Sequence, residues 1–385
     1  MLPDRIAAAV RGAQQPVCAY VYDTAALVAR AAEVRAALPP GTTLLYAMKA
    51  NGHPDVVRAL AGAADGIEVA SGGELAVAVA AGARRIAFGG PAKTDAELAA
   101  AVAAGATVHV ESVGELRRLA HVGGRAARVA LRVNRAGVAV TGSHQMTGVP
   151  TPFGIDEAQL ADVVATAREL GIAPVGFHLH AVSNSLDAAE FADHVNGAVS
   201  WSLAAGQALG IPVEYVNAGG GLGVSYTGPQ RLDLTALAAA LDPVPQGIEL
   251  AVEPGRYLAA DAGWYAAEVL DLKHTHGRWF AVVRGGTHHL RLPAAWGYDH
   301  PFTVLPVERW PYPWDRPEVT GEVDAVGELC TPRDVLCRGQ AVDRLRVGDV
   351  LVFARVGAYG WDISHHEYLR HPHPELIVLP LTAGD

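Results

Sequence analysis

The chain has 385 residues, of which 50% are hydrophobic and 18% are charged, a composition typical of a globular protein with one large domain or two smaller ones. The formal net charge is −10 and no basic block offsets it, which argues against a nucleic-acid-binding protein. No uncharged apolar run reaches the roughly 18 residues of a membrane span. Three scattered cysteines do not form a disulfide framework, so we expect a cytoplasmic protein with no membrane segment.

Eight short apolar runs alternate with alanine-rich helical stretches in the first two thirds of the chain. Most of the runs are continuously apolar, which is typical of parallel strands buried on both faces. They lie at 43–48, 66–70, 85–90, 107–112, 127–134, 174–180, 213–220 and 247–255. Eight β/α units in about 200 residues predict a TIM (β/α)8 barrel. A doubly wound open sheet is the alternative that the strand count leaves open.

The pattern changes after about residue 260, where short strand-like segments are separated by glycine and proline. Such segments predict an antiparallel β domain. The early run "PVCAYVYD" (16–23) precedes the first helical stretch and is a candidate member of the same domain. We therefore predict a barrel over 24–260 and a β domain formed by 1–23 and 261–385.

The stretch "LLYAMKAN" (44–51) begins as an apolar strand and places Lys49, one of three lysines in the chain, at the end of that strand. Catalytic groups of TIM barrels lie at the carboxyl ends of the strands. An amine partly removed from water there has a lowered pKa and can form a Schiff base with an aldehyde such as that of pyridoxal 5′-phosphate (PLP). A lysine that merely extends into solvent at the barrel mouth is the alternative interpretation.

Two glycine-rich turns follow later strands of the predicted barrel. "NAGGGLGVSY" (217–226) exposes backbone N–H groups that can approach a phosphate closely. "EPGRYL" (253–258) places an acid, a glycine and an arginine within four residues. Together with the amine, these turns indicate a phosphorylated, aldehyde-bearing ligand.

Seven motifs, in chain order from residue 46 to 360, resemble the fold-type III PLP-dependent decarboxylases of the ornithine, diaminopimelate and arginine decarboxylase group. They are "YAMKAN", "GIEVASGGEL", "GFHLHAVSN", "NAGGGLGVSY", "EPGRYL", "GELCTPRD" and "GAYG". The resemblance implies an alanine-racemase-like TIM barrel with a C-terminal β domain. It also implies a homodimer with shared active sites.

The resemblance assigns a role to individual residues. Lys49 would hold PLP, His180 would stack on its ring, Glu253 would pair with the ring nitrogen, and Cys330 would protonate the product. Further residues would contact the phosphate (Ser183, Gly219, Gly220, Gly221, Gly255, Arg256 and Tyr359) or the substrate (Arg256, Arg291, Thr331 and Asp334). Glu74 matches a family acid near the lysine.

The implied reaction is decarboxylation of an L-amino acid centre through an aldimine and a quinonoid. A carboxylate beside the pyridine nitrogen keeps that nitrogen protonated, which makes the ring a strong electron sink. The family comparison implies that racemases of the same fold carry arginine beside the ring nitrogen. Glu253 at this position therefore favours decarboxylation. A non-catalytic PLP-binding homologue is the alternative, but it would be expected to lack Lys49, Glu253 or Cys330.

The substrate is indicated by a departure from the family pattern. Members that form diamines usually carry an acid directly after the catalytic cysteine, whereas this chain has Thr331 and Pro332. The motifs "HAVSN", "CTPRD" and "GAYGWDISHHEYLRHPHPE" resemble decarboxylases of citrate-containing siderophore pathways, which implies a citryl-diaminoacid conjugate. Free diaminopimelate or ornithine, and a carrier-bound aminoacyl group, remain the alternatives.

Other polar residues receive structural interpretations. His178 is predicted to be a packed barrel histidine, and Cys18 and Cys337 to be buried. The histidines between His365 and His373 lack a shared helical face and are interrupted by prolines, so we predict no metal site there.

Overall fold

The computed structural model describes residues 2–137 and 144–381, which form two compact units. The barrel unit comprises Leu27–Val224 and Gln230–Leu258, and the β unit comprises the described residues before and after it together with Ser225–Pro229. The sequence did not indicate that this short segment belongs to the β unit. Arg355 holds it there by donating hydrogen bonds to the carbonyl groups of Ser225 and Gly228.

The strands of the described residues are β1 (Cys18–Asp23), β2 (Thr43–Ala47), β3 (Gly66–Val69), β4 (Ile86–Phe88), β5 (Thr107–Val110), β6 (Val129–Asn134), β7 (His144–Gln145), β8 (Ile155–Asp156), β9 (Pro174–His178), β10 (Val182–Ser183), β11 (Tyr215–Asn217), β12 (Glu249–Val252), β13 (Gly263–Thr275), β14 (Arg278–Val283), β15 (Phe302–Leu305), β16 (Glu318–Val326), β17 (Val335–Arg346), β18 (Val350–Ala354) and β19 (Glu375–Leu379).

The α-helices of the same residues are α1 (Asp4–Gly12), α2 (Thr24–Ala37), α3 (Pro54–Ala63), α4 (Gly72–Ala80), α5 (Asp95–Ala103), α6 (Val113–His121), α7 (Leu160–Glu169), α8 (Ala188–Leu209), α9 (Leu234–Ala240), α10 (Arg256–Ala259) and α11 (Leu292–Trp296). None of these helices combines the length and the apolar character that crossing a membrane requires.

Parallel pairing closes the barrel in the order β2, β3, β4, β5, β6, β9, β11, β12 and back to β2. These eight strands are the eight predicted runs, so the predicted barrel is confirmed. The short strand β8 adds to β6 outside the closed ring. The strand centres are fully buried, which explains why their sequences are apolar without alternation.

One layer of the barrel interior combines a single large ring with small side chains. Tyr215 packs there against Leu45, Ala87, Ala130 and Ala251, each from a different strand. Alanine at three of these positions leaves the space that the tyrosine fills. This packing brings the Tyr215 hydroxyl to the strand ends where the polar side chains lie.

Side-chain caps fix where the barrel helices begin. The hydroxyl of Ser71 accepts the amide of Glu74 at the start of α4, and Ser112 accepts that of Glu115 at the start of α6. Thr94 and Glu97 form a reciprocal capping box on α5. The caps of α4 and α6 begin these helices a short loop after β3 and β5, so the chain turns at the carboxyl ends of these strands, where the barrel rim lies.

The β unit is built around the long strand β13, as expected for an antiparallel domain. Strand β13 pairs antiparallel with β1, β14 and β18, and a register shift between Val269 and Asp271 separates its two halves. Two pairs are parallel, β1 with β19 and β14 with β16. Helix α1 covers one face of the sheet through Ile6 and Val10.

Candidate active site

Lys49 lies in a short 3-10 turn, Met48–Ala50, directly after β2. Its Nζ atom is 2.5 Å from Oε2 of Glu68, which is on the neighbouring strand β3. The lysine side chain is 43% exposed, so the expectation of an amine removed from water does not hold in this structure. What distinguishes this lysine is an accessible ammonium group beside a buried carboxylate.

Glu68 is a buried acid that contacts Lys49 in this structure. Burial raises the pKa of Glu68, and the neighbouring Lys49 opposes that rise. Glu74, which the resemblance placed near the lysine, has its carboxylate oxygen 2.6 Å from the amide of Ala70. A signal for Glu68 was its position in β3, which pairs with β2 in the register Ala47 to Glu68.

Glu253 follows β12 and forms a buried floor together with groups from three other strands. Its Oε1 atom accepts a 2.6 Å hydrogen bond from Asn217 Nδ2. His178 Nε2 is 3.4 Å from Glu253 Oε2, and His109 Nδ1 is 3.9 Å from Oε1. Burial lowers the pKa of both histidines well below its ordinary value, so both rings are neutral.

The rings of His109 and His178 lie against each other, with centroids 4.1 Å apart and planes tilted by 34°. The prediction of His178 as a packed barrel histidine describes its burial, but its ring also faces Glu253. The sequence gives no signal for His109, which lies in the middle of the apolar run of β5. It comes near Glu253 only because the barrel closes and brings β5 opposite β12. The donor atoms of His109, His178 and Glu253 all lie within 4.8 Å of one another.

His180 lies against the glycine-rich turn that follows β11. Its Nδ1 accepts a 3.0 Å hydrogen bond from the amide of Gly220, which places the ring proton on Nε2. Burial lowers the pKa of His180, so the ring is neutral. A flat, neutral imidazole fixed at this turn suits stacking on an aromatic ring.

Glycine is required at two positions of this turn. Gly219 has φ +74°, and a Cβ there would lie 2.4 Å from Nδ1 of His180. A Cβ on Gly220 would lie 2.5 Å from the carbonyl oxygen of Glu253. Their amides donate to Asn217 Oδ1 and His180 Nδ1, so these two N–H groups serve the protein in this structure and not the phosphate that the resemblance implied.

The loop that contains Ser183 is bound to the same turn. The amide of Ser185 donates to the carbonyl of Gly221 (2.8 Å), and Asn184 accepts the amide of Val224 (2.8 Å) from a left-handed conformation with φ +62°. Strand β10 also pairs with β7, which begins the 144–156 segment. The serine loop and the glycine turn therefore form one connected rim.

Lys93 and Arg132 are buried cations that support the floor. Lys93 Nζ contacts Glu115 at 2.7 Å and the carbonyl of His109 at 2.8 Å. Arg132 Nη1 contacts Glu111 at 2.8 Å. Both cations are satisfied by protein partners, so their role is to fix the strands that carry the site.

Within the β unit, Cys330 is an exposed free thiol, while Cys18 and Cys337 are buried as predicted. Thr331 is half-buried and its hydroxyl accepts the amide of Arg333. Arg291 is exposed and precedes α11, and Tyr359 has φ +56° and packs edge-on against Trp296.

The assignment of Asp334 to substrate binding does not agree with its contacts. Its Oδ1 accepts both the amide and the hydroxyl of Thr287, at 2.6 and 2.8 Å, and its Oδ2 accepts the amide of Leu329 at 2.9 Å. The side chain is 2% exposed. Because both oxygens serve buried donors, Asp334 joins the 285–290 and 327–334 segments of the β unit.

The C-terminal histidines are distributed among protein partners. His366 stacks on Trp361 with centroids 3.5 Å apart, His371 Nδ1 is 3.5 Å from Glu328, and His373 Nε2 is 3.1 Å from Glu367. Among the described residues, the three-donor group close enough to share a cation is His109, His178 and Glu253, not this cluster.

Comparison with known proteins assigns the class. The family model "Pyridoxal-dependent decarboxylase, pyridoxal binding domain" matches residues 24–260. The chain is 38% identical, over 98% of its length and 97% of the relative, to the 2-[(L-alanin-3-ylcarbamoyl)methyl]-2-hydroxybutanedioate decarboxylase of Staphylococcus aureus. It is 32% identical, over 92% of the chain and 87% of the relative, to an L-glutamyl-[BtrI acyl-carrier protein] decarboxylase of Niallia circulans.

Comparison with solved structures finds the same fold in an enzyme of this group. The Helicobacter pylori diaminopimelate decarboxylase complexed with L-lysine superimposes with a TM-score of 0.82 at 25% identity, covering 95% of this chain and 92% of that one. The chain therefore belongs to the pyridoxal-dependent decarboxylases of the ornithine, diaminopimelate and arginine decarboxylase group. It is a PLP-dependent carboxy-lyase.

The barrel residues fit this cofactor. Lys49 offers an accessible amine, and Glu253 offers a buried carboxylate on the floor between two neutral histidines. His180 offers a flat, neutral ring held at the glycine turn by the amide of Gly220. The set therefore offers an amine for the aldehyde of the cofactor, a carboxylate for its ring nitrogen and a flat side chain for its ring.

Proposed function

We propose that this enzyme removes the carboxyl group from the amino acid centre of a conjugate in which citrate is joined by an amide to a diaminoacid, a step of siderophore biosynthesis. The observation that carries the proposal is the 38% identity, across 98% of the chain, to a decarboxylase whose name describes such an amide. Thr331 supports it, because a conjugated amine carries no distal ammonium group for an acid at that position to bind.

PLP, when bound, supplies the sink for the electron pair that remains when CO2 leaves. Lys49 holds the cofactor, and Glu68 orients the lysine ammonium. Glu253 keeps a proton on the ring nitrogen, and His180 supports the ring from the glycine turn. Each of these groups lies on the rim or the floor of the barrel described above.

The remaining contacts are assigned by residue type. Ser183, Gly221, Gly255, Arg256 and Tyr359 would hold the phosphate, since two of the three glycine amides of the turn are committed within the protein. Arg256 and Arg291 would meet substrate carboxylates, and Thr331 would lie beside the amide. Cys330 would deliver a proton to the carbon that has lost its carboxyl group.

We also propose a cytoplasmic homodimer in which Cys330 serves the barrel of the partner subunit. The support is that Cys330 is exposed on the chain, although its proposed role requires it to be enclosed beside the substrate. A twofold arrangement would let the same surface complete both sites.

A second candidate function is decarboxylation of an aminoacyl group on a carrier protein. It is favoured by the 32% identity, over 92% of the chain, to the Niallia circulans enzyme. The two functions differ in substrate size and charge, because a carrier-bound aminoacyl thioester has no citryl carboxylates for Arg291 to meet.

The deciding experiment measures CO2 release by the PLP-loaded enzyme from four substrates: a citryl-diaminopropionate amide, free diaminopimelate, free ornithine and a glutamyl-carrier thioester. We expect the citryl amide to give the highest kcat/KM. Arg291→Lys, which keeps the charge but loses the bidentate fork, is the matched variant and should raise KM for the citryl amide. A higher kcat/KM for any of the other three substrates would refute the proposal.

A further inference from the structure

The floor beneath Glu253 contains a hydrogen-bond chain whose direction can be assigned. Asn217 Oδ1 accepts the amide of Gly219 at 2.8 Å, which fixes the orientation of the Asn217 amide. Its Nδ2 group therefore donates, to Glu253 Oε1 at 2.6 Å and to the Tyr215 hydroxyl oxygen at 2.8 Å. An amide nitrogen accepts nothing, so Tyr215 must send its own proton elsewhere.

The acceptor for the Tyr215 proton is His109. The hydroxyl is 3.3 Å from His109 Nε2, and burial raises the pKa of Tyr215, so the hydroxyl keeps its proton and donates it. A neutral imidazole that accepts at Nε2 carries its hydrogen on Nδ1. That Nδ1 is the atom 3.9 Å from Glu253 Oε1.

His178 approaches the other oxygen of Glu253. Its Nε2 is 3.4 Å from Oε2, and its ring lies against that of His109. Among the described residues, neither nitrogen of His178 nor Nδ1 of His109 has a partner of full hydrogen-bond geometry. The two imidazoles are thus unsatisfied polar groups, nine-tenths or more buried, that both face one carboxylate.

We propose that His109 and His178 are positioning residues that hold the Glu253 carboxylate in place to meet the ring nitrogen of the cofactor. The inference rests on the proposed role of Glu253 and extends it to a chain that runs from Asn217 through Tyr215 to His109. The two neutral imidazole rings lie 3.4 and 3.9 Å from the carboxylate oxygens, outside full hydrogen-bond geometry, and their polar edges restrain the carboxylate without adding a competing charge.

His109, His178 and Glu253 lie close enough to share a metal ion. The hydrogen-bond chain, however, places a proton on His109 Nδ1, the nitrogen that faces Glu253 and would have to bind the ion. The charged groups around the floor are Lys49, Glu68, Lys93 and Arg132. None of these four is altered by the variants proposed below.

The test reads the protonation of the ring nitrogen directly. Enzyme variants are loaded with PLP labelled with ¹⁵N in the ring, and the ¹⁵N chemical shift is recorded without substrate. His109→Phe and His178→Phe keep an aromatic ring but remove the nitrogens, and Tyr215→Phe removes a single oxygen. We expect all three, like Glu253→Gln, to move the resonance toward that of an unprotonated pyridine and to weaken PLP binding about tenfold.

Tyr20→Phe is the matched control, since Tyr20 is a buried tyrosine of the β unit whose hydroxyl bonds to the His289 carbonyl. Its resonance should stay at the pyridinium position. Wild-type resonances in the Tyr215 and histidine variants, with a shifted Glu253→Gln resonance, would overturn this inference alone. An unshifted Glu253→Gln resonance would remove the role of Glu253 itself and this inference with it, whatever the substrate proves to be.

Discussion

The ammonium group of Lys49 lies beside the buried carboxylate of Glu68, and this contact defines the reactive end of the site. A buried acid is costly to ionise unless a cation accompanies it, and burial does raise the pKa of Glu68. The pair satisfies both groups while the lysine stays accessible. Glu74, six residues further on, accepts the amide of Ala70 just before α4.

Replacing Glu68 with glutamine should lower kcat at least about tenfold, because the amide removes the charge that orients Lys49. Glu97→Gln, which removes the charge of a capping residue of α5, is the control and should change kcat less than about twofold. Both variants are compared by CO2 release after loading with saturating PLP. Equal losses in the two variants would show that Glu68 has no special role.

The turn after β11 is the element on which the site depends most closely. Gly219 and Gly220 bring its backbone against His180 on one side and against Glu253 on the other. The loop around Asn184 is bound to the same turn by backbone hydrogen bonds. The stacking histidine, the floor acid and the serine loop therefore share one backbone support, and a displacement of this turn disturbs all three.

Gly220→Ala should weaken PLP binding about tenfold or more, because the added methyl group would lie 2.5 Å from the carbonyl oxygen of Glu253 and must displace the turn. Gly62→Ala is the control: Gly62 lies in α3 with nothing within 4 Å of an added Cβ, and alanine favours a helix. PLP binding is followed by visible absorbance. Unchanged binding in Gly220→Ala would refute the tight fit.

At the scale of the whole molecule, the barrel carries Lys49 and Glu253 while the β unit carries Cys330 and Arg291. The eight parallel strands form a rigid support for the first pair. The second pair lies on loops between strands of the β unit, where exposed side chains are available to a partner subunit. The proposed homodimer brings the two sets together.

Shared sites can be tested by mixing two inactive subunits. Lys49→Ala and Cys330→Ala chains with different tags are co-expressed, and the mixed dimer is purified through both tags. A shared site predicts about half of the wild-type activity per dimer, because one of the two sites regains both residues. Each variant homodimer is the control. A mixed dimer with no more activity than the homodimers would place both residues in the same subunit.

Buried histidines should make the stability of the fold depend on pH. Burial lowers the pKa of His300 to about 4, and its Nε2 donates to the Ala354 carbonyl at 2.7 Å. Below the ordinary histidine pKa of about 6.5, His300 binds a proton in the unfolded chain but stays neutral in the folded chain. The free energy of unfolding therefore falls between about pH 6.5 and pH 4, by up to about 3 kcal/mol for this residue.

His300→Gln keeps an amide donor for the Ala354 carbonyl but does not titrate. Denaturant unfolding at pH 7 and pH 5 should show a smaller loss of stability in this variant than in the wild type. A surface histidine, His274, provides the control as His274→Gln. An identical loss in the wild type and in His300→Gln would contradict the assignment.

The sequence by itself determined the barrel, the position of Lys49 and the cofactor class. Continuous apolar runs specify strands buried on both faces, and Lys49, the glycine turns and Glu253 belong to short local motifs. The tertiary structure decided which acid contacts Lys49, why His109 belongs to the site, and that Asp334 binds backbone. These outcomes depend on side chains from different strands and loops meeting through space. Local patterns specify where a strand begins and ends, whereas barrel closure sets the partners of each side chain.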